Sequence, residues 1–259
     1  MKLSLVISTY NQPVALEKCL LGVRHQTVRP AEILIADDGS DAATADLIRQ
    51  FTADSPVPVK HLWQAHQGFR KTIILNRTIA AATGDYLVFT DCDCVPHPQF
   101  VADHQALAEP GYWVQGRRCF VQEKNVPAFV PGRTPVWWWM LTGKITGIPK
   151  GIRWPVARIQ RDQGQRGIIG CNMAYWREDL VAVNGFDEAY LGWGGEDSDL
   201  GTRVYHLGRT RKFVYGRAIT FHLNHPVLSR AWPTASREHL AETIRTRKVR
   251  CQQGLNRHG

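Results

Sequence analysis

The 259-residue sequence contains no long apolar run, and this absence excludes a membrane-spanning helix. Such a helix needs about 20 consecutive apolar residues, and no segment approaches that length. The N-terminal stretch MKLSLVIST is short and lacks a small-residue cleavage site, so we interpret it as a first β-strand rather than a signal peptide. The six cysteines show no C-x-x-C spacing, which favours free thiols in a reducing cytoplasm.

Acidic residues are scarce in the second part of the chain, whereas the first part is balanced. Residues 1–95 carry 9 Lys and Arg against 10 Asp and Glu, and residues 96–259 carry 23 against 13. A basic surface of this kind suits the phosphates of a donor, an anionic acceptor or an anionic membrane face. Because no nucleic-acid-binding motif accompanies the charge, we predict that nucleic acid is not a partner.

Strand and helix patterns alternate along the first 95 residues. Short apolar runs at 3–8, 32–36, 57–63 and 86–90 predict buried strands, and helical spacing of apolar residues predicts a helix after each of the first three. This β-α-β-α-β-α-β order is typical of parallel sheets with right-handed crossovers. We therefore expect an α/β fold, with a mostly parallel, Rossmann-like sheet and helices on both faces.

The second part of the chain is less regular. Residues 120–166 are rich in Pro, Gly, Arg and Trp, and they predict no defined structure. Regular patterns return in a helix that starts near Gly195, a strand over Lys212–Ile219 and a basic helix over Ser236–Arg250. We expect this last helix and the Trp137-Trp138-Trp139 cluster to offer a peripheral contact with an anionic membrane, with a solvated helix and a buried aromatic core as the alternative.

Polar side chains follow three of the predicted strands at the point where each strand ends. These clusters are Thr9-Tyr10-Asn11, Asp37-Asp38 and Asp91-Cys92-Asp93. In parallel sheets ligands bind beyond the carboxyl ends of the strands, so we expect the three clusters to line one crevice. Arg70 and Lys71 precede the third helix and suit a base or a diphosphate, with ordinary surface charge as the alternative.

The triplet Asp91-Cys92-Asp93 suits a divalent cation, because two carboxylates at a strand exit can bind it together with phosphate oxygens. Alone, such a triplet also describes two solvated loop aspartates, but its position after the strand YLVFT favours the metal. His222 follows the last predicted strand and either completes the metal's ligands or serves as a structural histidine. His225 is the weaker candidate ligand.

The segment GWGGEDSDL combines small residues, an aromatic ring and acids. Gly194 and Gly195 let the backbone approach a ligand closely, and the Trp193 ring can face a sugar. Glu196 and Asp197 begin a helix, where acidic residues also serve as ordinary caps. Asp197 nevertheless falls on the apolar face of that helix, which makes it a candidate general base.

The order of these motifs resembles a known family. VISTYNQP, ILIADDGS and GFRKTIILNRTIAAATGDYLVFTDCDCVPHP are similar to family 2 glycosyltransferases with the GT-A fold. GWGGEDSDLGTRVYHLG is similar to the acceptor-side motif of β-1,4-galactosyltransferases and bacterial chondroitin-type polymerases. The resemblance covers residues 3–95 and 167–225. It implies one continuous GT-A domain, with residues 1–95 as the nucleotide-sugar-binding half and residues 96–259 as the half that binds the acceptor and supplies the base.

The resemblance also implies a role for each matched residue. The implied nucleotide-sugar contacts are Thr9, Tyr10, Asn11, Asp37, Asp38, Arg70, Lys71, Asp91 and Cys92. The implied ligands of Mn²⁺ or Mg²⁺ are Asp93, Asp91 and His222. The implied acceptor-side residues are the base Asp197, Glu196, and the sugar-facing Trp193, Gly194 and Gly195.

The family implies an inverting transfer of a sugar, from a UDP donor in preference to a GDP donor, to a glycan or lipid-linked hydroxyl. Such a reaction would belong to bacterial surface polysaccharide or lipopolysaccharide synthesis in the cytoplasm. A sugar nucleotidyltransferase is an alternative, but it needs a glycine-rich loop where this chain has Thr9-Tyr10-Asn11-Gln12. A non-catalytic binding protein is a second alternative, which would not need the acids at 196 and 197.

Overall fold

The computed structural model of the chain describes residues 1–147, 151–162, 167–225 and 233–258. Residues 148–150, 163–166, 226–232 and 259 lie outside the described residues. The strands are β1 (Leu3–Thr9), β2 (Glu32–Asp37), β3 (Val59–Trp63), β4 (Tyr86–Asp91), β5 (Cys94–Pro96), β6 (Tyr112–Gln115), β7 (Arg117–Val121), β8 (Ile145–Thr146), β9 (Arg158–Asp162), β10 (Met173–Trp176), β11 (Thr210–Tyr215) and β12 (Ile219–Leu223).

Eight α-helices and three short 3₁₀ turns connect these strands in the part of the chain that the structure describes. The helices are α1 (Pro13–Arg24), α2 (Ala42–Ala53), α3 (Lys71–Ala81), α4 (Phe100–Leu107), α5 (Val136–Leu141), α6 (Arg177–Val183), α7 (Glu196–His206) and α8 (Thr234–Thr246). The first four predicted strands and the helices between them are confirmed. Pro13 opens α1, and Asp41 caps α2 by accepting from Thr44 N at 3.3 Å. None of these helices has the length and apolar character needed to cross a bilayer.

The large sheet has the strand order β3-β2-β1-β4-β10-β6-β11-β9. Its first four strands are parallel, which confirms the predicted mostly parallel sheet. The register places Thr9 beside Asp37 and Ser8 beside Asp91. The polar residues that end β1, β2 and β4 therefore meet at one edge of the sheet, as the sequence predicted.

Helices cover both faces of this sheet. On one face, apolar residues of α1, α2 and α4 pack against β1, β2 and β4, including Leu16, Ile48 and Phe100. On the other face, α3, α6 and α7 contribute side chains such as Ile74 and Leu200. The predicted two-sided α/β arrangement is confirmed, and the apolar strand residues are buried from both sides.

A smaller sheet of four strands has the order β5-β12-β7-β8, and its strand β5 follows β4 directly along the chain. β12 pairs antiparallel with β5, and Leu223 N donates to Asp93 O at 2.8 Å. This pairing brings the turn that carries Asp93 against the end of β12. The helix α5 packs against this small sheet through Trp139 and Met140.

Two expectations for the second part of the chain were wrong. The single strand predicted over Lys212–Ile219 is two strands, because the chain turns through positive φ angles at Gly216 and Ala218. The middle segment is also more ordered than predicted, since it contains α5, β8 and β9. Apolar periodicity could not reveal these elements, because each is short and two of them lie at sheet edges.

Candidate active site

The ends of the parallel strands are joined by direct hydrogen bonds. Asp38 N donates to Thr9 O at 3.1 Å, and Cys92 N donates to Ser8 O at 2.9 Å. Thr9 itself is almost fully buried. The three clusters predicted from the sequence therefore lie side by side, and β1 forms the floor between the other two.

Two neighbouring aspartates after β2 have different surroundings. Asp38 accepts hydrogen bonds from Gln64 Nε2 at 2.6 Å and from Arg70 N at 2.9 Å, so it joins the end of β3 to the start of α3. Asp37 is fully buried and accepts from Ser40 N and His61. Burial raises the pKa of Asp37, but the hydrogen bonds from His61 and Ser40 outweigh it and lower that pKa. Asp37 therefore holds its own loop together, and its contact with the nucleotide stays a prediction.

An aromatic pair stands at the mouth of this crevice. The Tyr10 ring, two-fifths exposed, stacks on the His66 ring with 4.2 Å between centroids and 13° between planes. Asn11 has a left-handed φ of 46° and accepts from Asp41 N through its side chain, which fixes the loop that carries Tyr10. Sequence reasoning missed His66, although it follows the end of the third predicted strand.

Lys71 and Asp91 form an ion pair in the centre of the crevice. Lys71 Nζ lies 2.7 Å from Asp91 Oδ1, which also accepts from Ser8 Oγ at 2.6 Å. Burial lowers the pKa of Lys71, but the charges of Asp91, Asp197 and Glu196 raise it well above its usual value. Lys71 therefore stays positively charged, and its charge links Asp91 to the acids Glu196 and Asp197 at the start of α7.

Cys92, between the two aspartates, is buried beneath the end of β1. Burial raises the pKa of its thiol to about 12. The side chain therefore stays protonated and faces the protein interior, so any contact of this residue with a nucleotide runs through its backbone.

A group able to bind a metal forms where β5 and β12 meet. Nε2 of His222 and Nε2 of His225 lie 3.3 and 3.1 Å from Asp93 Oδ2. Ligand atoms of these three residues all lie within 4.8 Å of one another, and Asp91 is outside the group. Burial raises the pKa of Asp93, but hydrogen bonds from the two histidines hold it well below its usual range. The structure thus gathers Asp93 and His222 with His225 rather than with Asp91, and Asp91 as a metal ligand stays a prediction.

The chemistry of this group fits Mn²⁺ or Mg²⁺. Within the described ranges, Asp93 Oδ1 and His222 Nδ1 are buried without a hydrogen-bond partner. Buried polar atoms are normally satisfied, so an unpaired carboxylate oxygen beside two imidazoles points to a cation. Two nitrogens and one carboxylate favour Mn²⁺ over Mg²⁺, which prefers oxygen ligands alone.

The start of α7 supplies the acids of the other wall. Burial raises the pKa of Asp197, and the charges of Glu196 and Asp91 raise it further, while Lys71 opposes them. Burial likewise raises the pKa of Glu196, which is 4% exposed. A carboxylate whose pKa is moved towards neutrality can take a proton from an acceptor hydroxyl, which is the property a general base requires.

The raised pKa of Asp197 leads to a pH prediction. Because the base must be deprotonated, kcat/KM should fall on acidification, along a limb that lies above the usual range of an aspartate. In Glu196→Gln a negative neighbour is removed, so the pKa of Asp197 should drop and the limb should move to lower pH. A pH profile of kcat/KM for both proteins measures this. An unmoved limb would mean that Asp197 is not the titrating group.

Asp199, the third acid of the segment, has a structural role. It is fully buried, and its two oxygens accept from Arg203 Nε at 2.6 Å and from Thr243 Oγ1 at 2.8 Å. Arg203 also donates to Val183 O at 2.7 Å. The two residues form an i,i+4 ion pair on α7, and their hydrogen bonds join this helix to α6 and α8.

Gly170 positions the Asp197 carboxylate and was missed by sequence reasoning. Its backbone forms a hydrogen bond with this carboxylate, and a Cβ at position 170 would overlap the carboxylate oxygens. We predict that Gly170→Ala lowers kcat about 100-fold, because displacing a reacting group by about 1 Å costs this much. The melting temperature should hardly change, since the Asp197 side chain can rotate away. Steady-state kinetics and thermal unfolding measure the two effects, and an unchanged kcat would contradict the assigned position of the base.

The loop before α7 exposes Leu191 and Trp193 to solvent, whereas Gly194 and Gly195 are buried. Gly192, Gly194 and Gly195 all have φ near 100°, a conformation that side chains rarely adopt. Gly194 N donates to Glu196 Oε2 at 3.1 Å, and the Trp193 ring remains half exposed. The loop is therefore shaped by its glycines, and an uncovered indole stands beside the acids, as a sugar platform would require.

Comparison with known proteins identifies the family. The model of glycosyl transferase family 2 matches residues 4–180, more than half of the chain. The chain belongs to this family. A second model, described as the N-terminal domain of galactosyltransferase, matches residues 156–226 of this glycosyltransferase. The expected membership of family 2 is thus confirmed, a galactosyltransferase model matches the later part of the chain, and the protein is a transferase enzyme.

Among curated relatives, chondroitin synthase of Escherichia coli is 26% identical over 249 residues. The match covers 86% of this glycosyltransferase and 35% of that protein. The chain spans less than half of the length of this relative and of the next two, a hyaluronan synthase and a validoxylamine A glucosyltransferase.

Solved glycosyltransferases share the fold. S. aureus TarS 1–349 in complex with UDP-GlcNAc has a TM-score of 0.67 at 15% identity, covering 100% of this chain and 69% of that one. Mannosyltransferase PcManGT of Pyrobaculum calidifontis, in complex with GDP-Man and Mn²⁺, has a TM-score of 0.60 at 19% identity, covering 94% and 64%. The GT-A fold expected from the sequence is confirmed.

Proposed function

We propose that this glycosyltransferase transfers a hexose, with inversion, from a nucleotide donor to a hydroxyl of a glycan or lipid-linked acceptor. The observation that carries the proposal is the arrangement in one crevice of the Asp93 group, the Lys71–Asp91 pair and the Asp197 carboxylate with its raised pKa. Synthesis of a polysaccharide is the favoured context, because a chondroitin synthase matches most of the chain.

The donor is proposed to lie along the ends of β1, β2 and β4. The stacked Tyr10 and His66 rings offer a surface for the base, and Asp38 stands beside them with its loop already fixed by Gln64. UDP is the favoured donor nucleotide, in line with the UDP-GlcNAc complex of TarS, although PcManGT was solved with GDP-Man. Asp91, held by Lys71, would lie nearest the ribose.

Asp93, His222 and His225 would hold the divalent cation. Bound there, the cation would neutralise negative charge on the leaving diphosphate. The basic Lys71 remains protonated between Asp91 and the acids of α7, so it can stabilise the same leaving group from the other side. The side chains of the crevice therefore place positive charge where the diphosphate separates.

Asp197 would accept the proton of the acceptor hydroxyl. The acceptor oxygen forms a bond to C1 of the sugar on one face, while the bond from C1 to the diphosphate breaks on the other. The proton passes to Asp197 and the nucleoside diphosphate leaves, so the configuration at C1 inverts in one displacement. Trp193 would face the sugar rings, and Glu196 would contact a sugar hydroxyl.

Release of nucleoside diphosphate from a panel of UDP- and GDP-sugars, with Mn²⁺ or with chelator, tests this proposal. We expect one UDP-sugar to be hydrolysed slowly, and chelator to abolish the release. Equilibrium binding of UDP with Mn²⁺ is measured alongside, because a transferase can bind its donor and still wait for an acceptor. If neither UDP nor GDP bound, the assignment of Asp38, Asp91 and Asp93 would be wrong.

We also infer that the enzyme works in the cytoplasm, in peripheral contact with an anionic membrane. All six cysteines are free and buried, as suits a reducing compartment. A lipid-linked acceptor would be presented at such a surface, and the basic second half of the chain would favour anionic headgroups.

A further inference from the structure

The short helix α5 is apolar on every side, and only one side is covered. Its sequence is VWWWML, with Trp139 and Met140 buried in the core of the small sheet. Trp137, Trp138 and Leu141 point outwards and are 66%, 50% and 73% exposed. A helix that is apolar all round is normally buried or in contact with a membrane. These three residues are called the α5 face below.

The α5 face is a contiguous surface. The rings of Trp137 and Trp138 pack edge to face with 5.8 Å between centroids, and Leu141 lies one helical turn after Trp137. Single exposed apolar residues are common, but a patch of large ones marks a place of contact. Two exposed indoles are typical of membrane surfaces, because Trp has an apolar body and a polar N–H.

An apolar cavity of about 380 Å³ opens beside this face. Its walls include Val95, Phe129, Met140 and Phe221 as well as Trp137. Phe221 directly precedes His222 on β12, and side chains alternate along a strand, so the cavity lies behind the metal-binding group. The lining also includes His97, Thr134 and Arg153, but it is mostly apolar and suits a hydrocarbon chain.

The charge around the α5 face complements an anionic surface. Residues 119–147 contain three Lys and Arg and a single acidic residue, Glu123. Lys124 and Arg133 are exposed on the preceding segment, and Lys144 lies with its ammonium 5.3 Å from the Trp139 ring centroid. With three cations against one acid in this segment, two copies of the face would repel each other, which disfavours a dimer here.

We propose that the α5 face is the site at which this enzyme docks on an anionic lipid bilayer, with a lipid hydrocarbon chain entering the adjacent cavity. This names the surface for the membrane contact inferred above and rests on that inference. The indoles and Leu141 enter the interface, and the surrounding cations meet the headgroups. When the enzyme is docked in this way, the small sheet lies between the bilayer and the metal-binding group.

The basic helix α8, which the sequence analysis named for this role together with the Trp cluster, is less suitable. Arg245 is paired with Glu242 at 2.7 Å, and Thr243 is buried against α7. Ile244, 40% exposed, is the large apolar residue that the described part of this helix offers to solvent. The membrane contact is therefore assigned to α5.

Co-sedimentation with vesicles tests the assignment, using the full chain and phosphatidylcholine with or without phosphatidylglycerol. We expect the wild type to bind the anionic vesicles, and added salt to weaken the binding. The triple variant Trp137→Ser/Trp138→Ser/Leu141→Ser should lose at least about tenfold in partition coefficient. Val181→Ser/Ile244→Ser, which removes exposed apolar surface from α6 and α8, should bind as the wild type does. Binding of UDP confirms that each variant is folded.

The possible outcomes distinguish the membrane contact itself from its assignment to the α5 face. If the wild type bound no vesicles, both the membrane contact and the docking site would be wrong. If the triple variant bound as well as the wild type, the contact would stand and its assignment to the α5 face would be wrong. If the wild type were a dimer in the absence of vesicles and the triple variant were a monomer, the α5 face would instead be an interface between two copies of the protein. Hydrolysis of a soluble donor is measured separately and does not depend on any of these results.

Discussion

Replacing Asp197 by Asn should lower kcat by about 10²- to 10⁴-fold, the usual contribution of general base catalysis. Asn keeps the size of the side chain and can still accept from the backbone at Gly170, but it cannot take a proton. Donor binding should be unchanged, since Asp38 and the Asp93 group are separate residues. Steady-state kinetics with a responsive acceptor and titration with UDP and Mn²⁺ measure the two effects.

Asp199→Asn is the matched control, two positions along the same helix. Asp199 neutralises the fully buried Arg203, and loss of one partner of such a pair costs about 3–5 kcal/mol of unfolding free energy. Its melting temperature should fall clearly. Asp197→Asn should not lower it at neutral pH. Burial and Glu196 raise the pKa of Asp197 above its unfolded value, so ionisation there opposes folding as the pH rises, and Asn removes that cost.

Three results would contradict these roles. Near-normal kcat in Asp197→Asn would exclude it as the base. Loss of UDP binding in that variant would show that the substitution disturbs the donor site instead. An Asp199→Asn protein as stable as the wild type would mean that the buried pair adds nothing to the packing of α7 against α6 and α8.

The large sheet could be predicted from the sequence because its first half follows local rules. Short apolar runs, Pro13 at a helix start and Asp41 as a cap each act within a few residues, and the order of elements then fixes the parallel pairing. The convergence of Asp38 and Asp91 follows from that pairing alone. No contact between distant segments had to be known.

Only the structure shows which of two neighbouring aspartates faces the crevice. Asp37 and Asp38 are adjacent, so their side chains leave the strand in opposite directions, and nothing local says which one faces the crevice. Asp91 and Asp93 also have different partners, because Asp93 lies in the turn after β4: Asp91 pairs with Lys71 at 2.7 Å, and Asp93 meets β12, which lies far along the chain. The sequence alone could not show that these two predicted ligands have different partners, and Asp91 as a metal ligand stays a prediction.

His225 was undervalued for a related reason. It lies 132 positions from Asp93 in sequence, and only the antiparallel pairing of β12 with β5 brings them together. That pairing depends on the break between β11 and β12, which the sequence interpretation missed. One misplaced turn, at Gly216, therefore concealed a member of the metal-binding group.

His225→Ala should raise the Mn²⁺ concentration for half-maximal activity by at least about tenfold. Loss of a residue that merely supports a metal ligand costs 10- to 100-fold in affinity, so loss of a ligand costs at least as much. Turnover at saturating Mn²⁺ should be retained in part, because Asp93 and His222 remain. Calorimetric titration of the protein with Mn²⁺ alone should show the same decrease without any donor.

His239→Ala is the matched control for this substitution. His239 lies 3.0 Å from Asp187, and its exposure is similar to that of His225, which lies 3.1 Å from Asp93. Both variants remove a histidine from a carboxylate, so a general effect of such a loss would appear in both. Weaker Mn²⁺ binding in His225→Ala alone supports the three-residue group. Equal Mn²⁺ binding in His225→Ala and the wild type would instead mean that Asp93, Asp91 and His222, the set implied by the sequence, bind the metal. In that case Lys71 would have to leave Asp91 when the metal binds.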